Sequence, residues 1–122
     1  MKKKDLLNKP VEHIDIKAIN ALDIIQSMKK MSFSARDLAR AAEIYDRMLR
    51  EKKCAIILTI AGSTSAAGCM QVYVDLVKNN MVDVIVATGA SIVDMDFVES
   101  LGFLRYQGTP FVDDRLLRKL YI

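Results

Sequence analysis

The chain has no tryptophan, one histidine, two cysteines and two prolines among its 122 residues. Each scarcity closes off a class of function. Cys54 and Cys69 are too few and too far apart for a zinc site, and they lack CxxC spacing. Both are expected as buried thiols in a reducing compartment, Cys54 opening a strand and Cys69 in the first turn of a helix. His13 has no second histidine or cysteine cluster near it, so neither a metal site nor a Ser-His-Asp arrangement finds support. No apolar run approaches the ~18–20 residues that cross a bilayer, and no apolar segment follows Lys2–Lys4 as a secretory signal requires. A hydrophobic share of 52% argues against disorder. The net charge of +3 is mild, arginines alternate with acids, and no basic-aromatic surface pattern appears, which argues against nucleic acid. One soluble, cytoplasmic domain with no membrane partner is the expectation.

Hydrophobic periodicity is plentiful. Ala18, Leu22, Ile25 and Met28 fall on one face of a helix predicted from Ile16 to Met31. Ser34 begins Ser-Ala-Arg-Asp, a short capping box, and the helix behind it is predicted to run to about Lys52. The period then changes. Ala55–Ile60 and Val82–Ala87 are continuous apolar runs of strand length, rich in β-branched residues. Runs without alternation belong to strands covered on both faces, which points to a parallel sheet. A helix predicted from about Ala67 to Asn79 joins them, making a βαβ unit. A further helix, Ile92–Leu101, ends at Gly102; Phe103–Phe111 is a short strand or loop; a last helix starts near Val112. The organisation is a lead-in over residues 1–15, a helical pair over 16–52 and an α/β unit over 53–122. So few parallel strands cannot cover their own faces and edges. The chain is therefore expected to complete its sheet with further chain or a partner.

In an open parallel sheet, ligands bind beyond the carboxyl ends of the strands. Those ends are Ala61-Gly-Ser-Thr-Ser-Ala-Ala-Gly68 and Ala87-Thr-Gly-Ala-Ser91, both small, hydroxyl-rich and followed by a helix. Backbone amides at such helix starts hold phosphate oxygens. The spacing fits neither GxGxxG nor a P-loop. Tight helix-on-sheet packing at Gly62, Ala66, Ala67 and Gly68 explains the composition equally well, so both readings stand. Asp94 is nearest the second loop. Asp96 and Glu99 read as a solvated face, and Asp113 and Asp114 as first-turn acids suited to the helix dipole.

Four segments together carry a family resemblance: Asn8–Ile16 (NKPVEHIDI), Ser32–Leu49, Ala61–Gly68 and Asn79–Ser91 (NNMVDVIVATGAS). In order and spacing they resemble the deoxyhypusine synthase family, more narrowly its prokaryotic deoxyhypusine synthase-like branch. The resemblance implies a Rossmann-like fold preceded by two helices, of which this chain is the N-terminal half. It also implies an NAD-dependent transferase that moves the aminobutyl group of spermidine onto a lysine of a translation factor precursor, or onto a second polyamine. In the family a lysine captures the butyl fragment between hydride loss to NAD and its return, and the enzymes are tetramers with sites between subunits. The family's Ser-Asn cofactor pair falls on Gly62 and Ser63, beside Thr64. Its Thr-Ala-Gly falls on Thr88, Gly89 and Ala90. Its two glutamates fall on Val93 and Asp94, which leaves Asp94 as the acid for cofactor and polyamine. The catalytic lysine belongs to the family's C-terminal half, so no catalytic residue is assigned here. A homo-tetramer or a complex with a complementary C-terminal chain is implied. The alternative is a non-catalytic NAD-binding or regulatory subunit. A sirtuin-type enzyme is set aside for want of a zinc cysteine quartet and a histidine after the loop.

Overall fold

Two short parallel strands, β1 (Ile57–Ile60) and β2 (Val84–Ala87), form the sheet, in the register Ile57↔Val84 to Ile60↔Ala87. The computed structural model describes residues 1–93 and 97–122, and of 94–96 only their place in a helix. Both strands begin two residues later than their apolar runs. Asp83 takes over the missing rung: its Oδ2 accepts the Ile56 amide at 2.7 Å, and its own amide donates to the Ile56 carbonyl at 2.9 Å.

The chain opens with α1 (Lys3–Leu6), a 3₁₀ turn at Ile16–Ala18 and α2 (Leu22–Met28). The single helix expected from Ile16 to Met31 is thus two pieces. Asn20 causes the break, its side-chain oxygen accepting the Leu22 amide at 3.0 Å and offering the backbone an alternative to the helix. The long α3 (Phe33–Arg50) starts at an N-cap of Ser32, not Ser34, and no side-chain capping bond forms. It meets the sheet through Tyr45, whose half-buried hydroxyl donates to the Met81 carbonyl at 2.6 Å; burial pushes the phenol's pKa up. A wide turn, Ser65–Cys69, precedes α4 (Met70–Lys78), so the crossover helix starts three residues after the expected Ala67. After β2 a helical run continues through α5 (Gly89–Ser91), a π segment (Ile92–Phe97) and α6 (Val98–Ser100), and Gly102 closes it with φ +91°. The last helix, α7 (Asp114–Leu120), starts two residues after the expected Val112, because Asp113 stands before its first turn as the cap, accepting the Arg115 amide at 2.9 Å. No helix among the described residues is long and apolar enough to cross a membrane.

The lead-in is fastened along its length. Pro10 bridges Tyr106 in antiparallel fashion, with the Val11 amide donating to Arg105 and the Gln107 amide to Lys9, both at 2.8 Å. Lys17 donates to Asp75 on α4 at 2.6 Å. That contact raises the pKa of Lys17, and the ammonium holds the Asp75 carboxyl below its ordinary range.

The sheet is not covered on both faces. Leu58, Ile60, Ile85 and Ala87 are half-buried, whereas Ile57, Thr59, Val84 and Val86 are exposed. The continuous apolar runs have a second apolar face that no described element packs against. Among the described residues, Ala39 and Ile56 are the buried hydrophobic residues of the core. The accessible surface is 9786 Å², where a compact monomer of this size presents about 6,600 Å². Cys54 and Cys69 are half-buried, not buried; Cys54 lies before β1, and Cys69 in the turn ahead of α4.

Candidate functional site

The register Ile60↔Ala87 brings both strands to the same edge, so the loops that follow leave the sheet side by side. The Thr88 amide donates back to the Ile60 carbonyl at 3.2 Å and keeps the loops together. Deeper in, two serines lock them. Ser65 is fully buried and Ser91 is 2% exposed. Ser91 Oγ donates to the Gly62 carbonyl across the gap, and Ser65 Oγ donates to the Ser91 carbonyl at 3.4 Å. Each loop thus supplies a hydroxyl to the other's backbone. Neither serine had been assigned a role from sequence. The available signal was a small hydroxyl residue three positions after Gly62 and again three after Thr88.

Around this lock lie six of the expected site residues. Gly62, Ser63, Thr64, Thr88 and Gly89 are exposed, and Ala90 is half-buried. The Thr64 hydroxyl is already engaged with the Tyr73 hydroxyl at 2.6 Å, which ties the loop to α4. The seventh, Asp94, lies outside the described residues, as does Asp96.

The glycines separate the two readings of the small-residue loop. Gly62 has φ +75° and nothing within 4 Å of where a Cβ would stand, and Gly89 is equally open. Close packing does not demand glycine at either. Gly68 is different: φ is +110°, and a Cβ would meet the Glu12 carbonyl at 3.0 Å and Val11 Cγ1 at 3.8 Å. Its own carbonyl accepts the Ile14 amide at 3.0 Å. One end of the loop is built for close approach of the lead-in, the other leaves room beyond the strand ends.

The lead-in also reaches the second loop's helix. His13 Nε2 sits 2.5 Å from Glu99 Oε1, with both side chains about one-fifth exposed. Glu99 is therefore part of a half-buried hydrogen-bonded pair with His13, not of a solvated face. No local pattern foretells a contact between residues 86 apart in sequence. With Lys17–Asp75, it pins the lead-in to the helix behind each loop.

Residues 23–122 match the sequence model of the deoxyhypusine synthase family. This chain belongs to that family. Among curated relatives it is 64% identical over 120 residues to a deoxyhypusine synthase-like protein of Coxiella burnetii (strain Dugway 5J108-111), covering 98% of this chain and 34% of that protein. A deoxyhypusine synthase-like protein of Caulobacter vibrioides is 60% identical over 98% of this chain and 33% of its own length. A probable deoxyhypusine synthase 2 of Methanosarcina acetivorans is 29% identical over 90% of this chain and 32% of its own. The deoxyhypusine synthase-like branch is thus the nearer kin. The chain spans about a third of the length of the curated relatives it matches.

Proposed function

We propose that this chain is the N-terminal part of a deoxyhypusine synthase-like, NAD-dependent transferase of aminobutyl groups from spermidine to a lysine or amine acceptor. On this reading its α/β unit, residues 53–122, is one half of a Rossmann-like cofactor domain. The observation that carries it is the open space over Gly62 and Gly89 at adjacent carboxyl ends of two parallel strands. A dinucleotide's phosphates need backbone amides they can approach closely, at a helix start. Gly62 and Gly89 supply that approach, and Gly89 and Ala90 open the helical run, ahead of the Ser91 and Ile92 amides that are taken up by the Thr88 carbonyl. The exposed hydroxyls of Ser63 and Thr88 can donate to the same ligand. The Thr64 hydroxyl, held by Tyr73, positions the loop instead. NAD, when bound, accepts and returns a hydride; this chain's residues bind and orient it. Asp94 is the acid proposed to serve cofactor and polyamine. The lysine that captures the aminobutyl fragment belongs to the part of the family's length that this chain does not span, which would also complete the sheet. The uncovered face at Ile57, Thr59, Val84 and Val86 and the large accessible surface support such completion.

Calorimetric titration of NAD into the assembled protein, with and without spermidine, tests the reading. Saturable NAD binding is expected, abolished by Gly62→Val or Gly89→Val, whose side chains fill the open space. Absence of NAD binding, or wild-type affinity in both variants, would overturn the cofactor assignment.

A further inference from the structure

We propose that the cleft beside α2 and α3 docks an acidic amphipathic helix of another polypeptide. It encloses about 400 Å³ and is lined by Lys29, Arg36, Arg40, Glu43, Ile44 and Arg47. None of these belongs to the loops of the cofactor site, so the inference stands apart from that reading. Four cations thus face one carboxylate. Lys29 and Glu43 form an ion pair with each other, and Arg36 lies 3.7 Å from Asp37. Neither Arg40 nor Arg47 comes within 4 Å of a carboxylate among the described residues, although, after its partner Lys29, the charge of Arg47 helps hold the Glu43 carboxyl below its ordinary range. Both are exposed.

Their spacing defines the ligand. Arg40, Ile44 and Arg47 stand at i, i+4 and i+7 on one stripe of α3. The two arginines are separated by about 10 Å along the axis. Between them Ile44 is 48% exposed, an apolar contact between two charges. The complement is acid, apolar residue, acid over two helical turns, laid into the groove as amphipathic helices are recognised. Nucleic acid fits poorly: no aromatic side chain lines the cleft for a base to stack on, and Glu43 faces into it. A second copy of α3 fits poorly too, because antiparallel pairing about the middle of the stripe sets Arg40 against Arg47. A small phosphate would satisfy the arginines and leave Ile44 without a contact.

The probe is a fluorescein-labelled helical peptide carrying Glu, Leu and Glu at i, i+4 and i+7, read by fluorescence anisotropy against the intact protein. Competitors are the same peptide with Gln for Glu, and inorganic tripolyphosphate. The acidic peptide should bind about tenfold more tightly than the Gln peptide, and the Arg40→Gln/Arg47→Gln protein should lose about tenfold in affinity. The circular dichroism of that variant should match wild type, since both side chains are exposed and neither makes a hydrogen bond or a close ion pair among the described residues. Rising salt should weaken the wild-type complex more than that of the variant. Equal binding by the double variant, or by the Gln peptide, overturns the proposal. So does tripolyphosphate binding as tightly as the peptide and displacing it, which would make the cleft a small-anion site.

Discussion

Replacing Gly68 by alanine should be the most damaging single-methyl change in the small-residue loop. The position has φ +110° and ψ 8°, beyond the left-handed well that other residues occasionally occupy. A left-handed conformation costs an L-residue about 1–2 kcal/mol, and the higher figure applies outside that well. The added Cβ also meets the Glu12 carbonyl at 3.0 Å. That carbonyl cannot retreat freely, because Val11 is bonded to Arg105 at 2.8 Å and Ile14 to Gly68 itself at 3.0 Å. Relief comes by sacrificing the Ile14 bond, about 1 kcal/mol more. The sum is a loss of about 3 kcal/mol. Gly62→Ala, with φ +75° and open space, bears the backbone cost alone and should lose about 1 kcal/mol. Gly89→Ala has neither problem and should gain about 0.4–1 kcal/mol by restricting the unfolded chain. Urea unfolding followed by far-ultraviolet circular dichroism ranks the three. If Gly68→Ala unfolds at the wild-type midpoint, or the order of the glycines is reversed, the division of the loop into packed and open ends is wrong.

Two further outcomes follow from the pins. Asp75 is 3% exposed and its carboxyl is held below the ordinary range chiefly by Lys17, so its folded pKa lies under the unfolded value of about 3.9. The stabilisation is present above about pH 4 and disappears as pH falls through the folded pKa. Asp75→Asn should therefore lower the urea midpoint at pH 7 and converge on wild type in strong acid; an equal deficit at both would refute the ionic pin. Ser91→Ala removes the donor to the Gly62 carbonyl, at a cost of about 1 kcal/mol of stability. On the proposed function it should also weaken NAD binding about fivefold, and unchanged calorimetric affinity would exclude the serine lock from ordering the site.

Much of the architecture was legible because its signals are local. The apolar runs of both strands, the long periodic stripe of α3 and the glycine that ends the helical run at Gly102 each need only neighbours within a few residues. Errors arose where a short polar contact overrode periodicity, as at Asn20, or where a turn delayed a helix, as at Ser65–Cys69. The adjacency of the two loops was legible as well, since a βαβ unit places consecutive strand ends together.

By itself, the sequence determined the family, the order of helices and strands, and the end of the sheet from which the two small-residue loops leave. Only tertiary structure decided which glycines are crowded and which are open, because that depends on the lead-in crossing Gly68 and not Gly62. It alone revealed the Ser65–Ser91 lock and the His13–Glu99 pair, contacts between residues 26 and 86 positions apart. It also corrected the sheet. An apolar run tells that a face favours cover; it does not tell whether this stretch of chain provides it, and Ile57, Val84 and Val86 remain open. Composition and period are properties of single segments, whereas crowding, locking and cover arise only when segments distant in sequence meet.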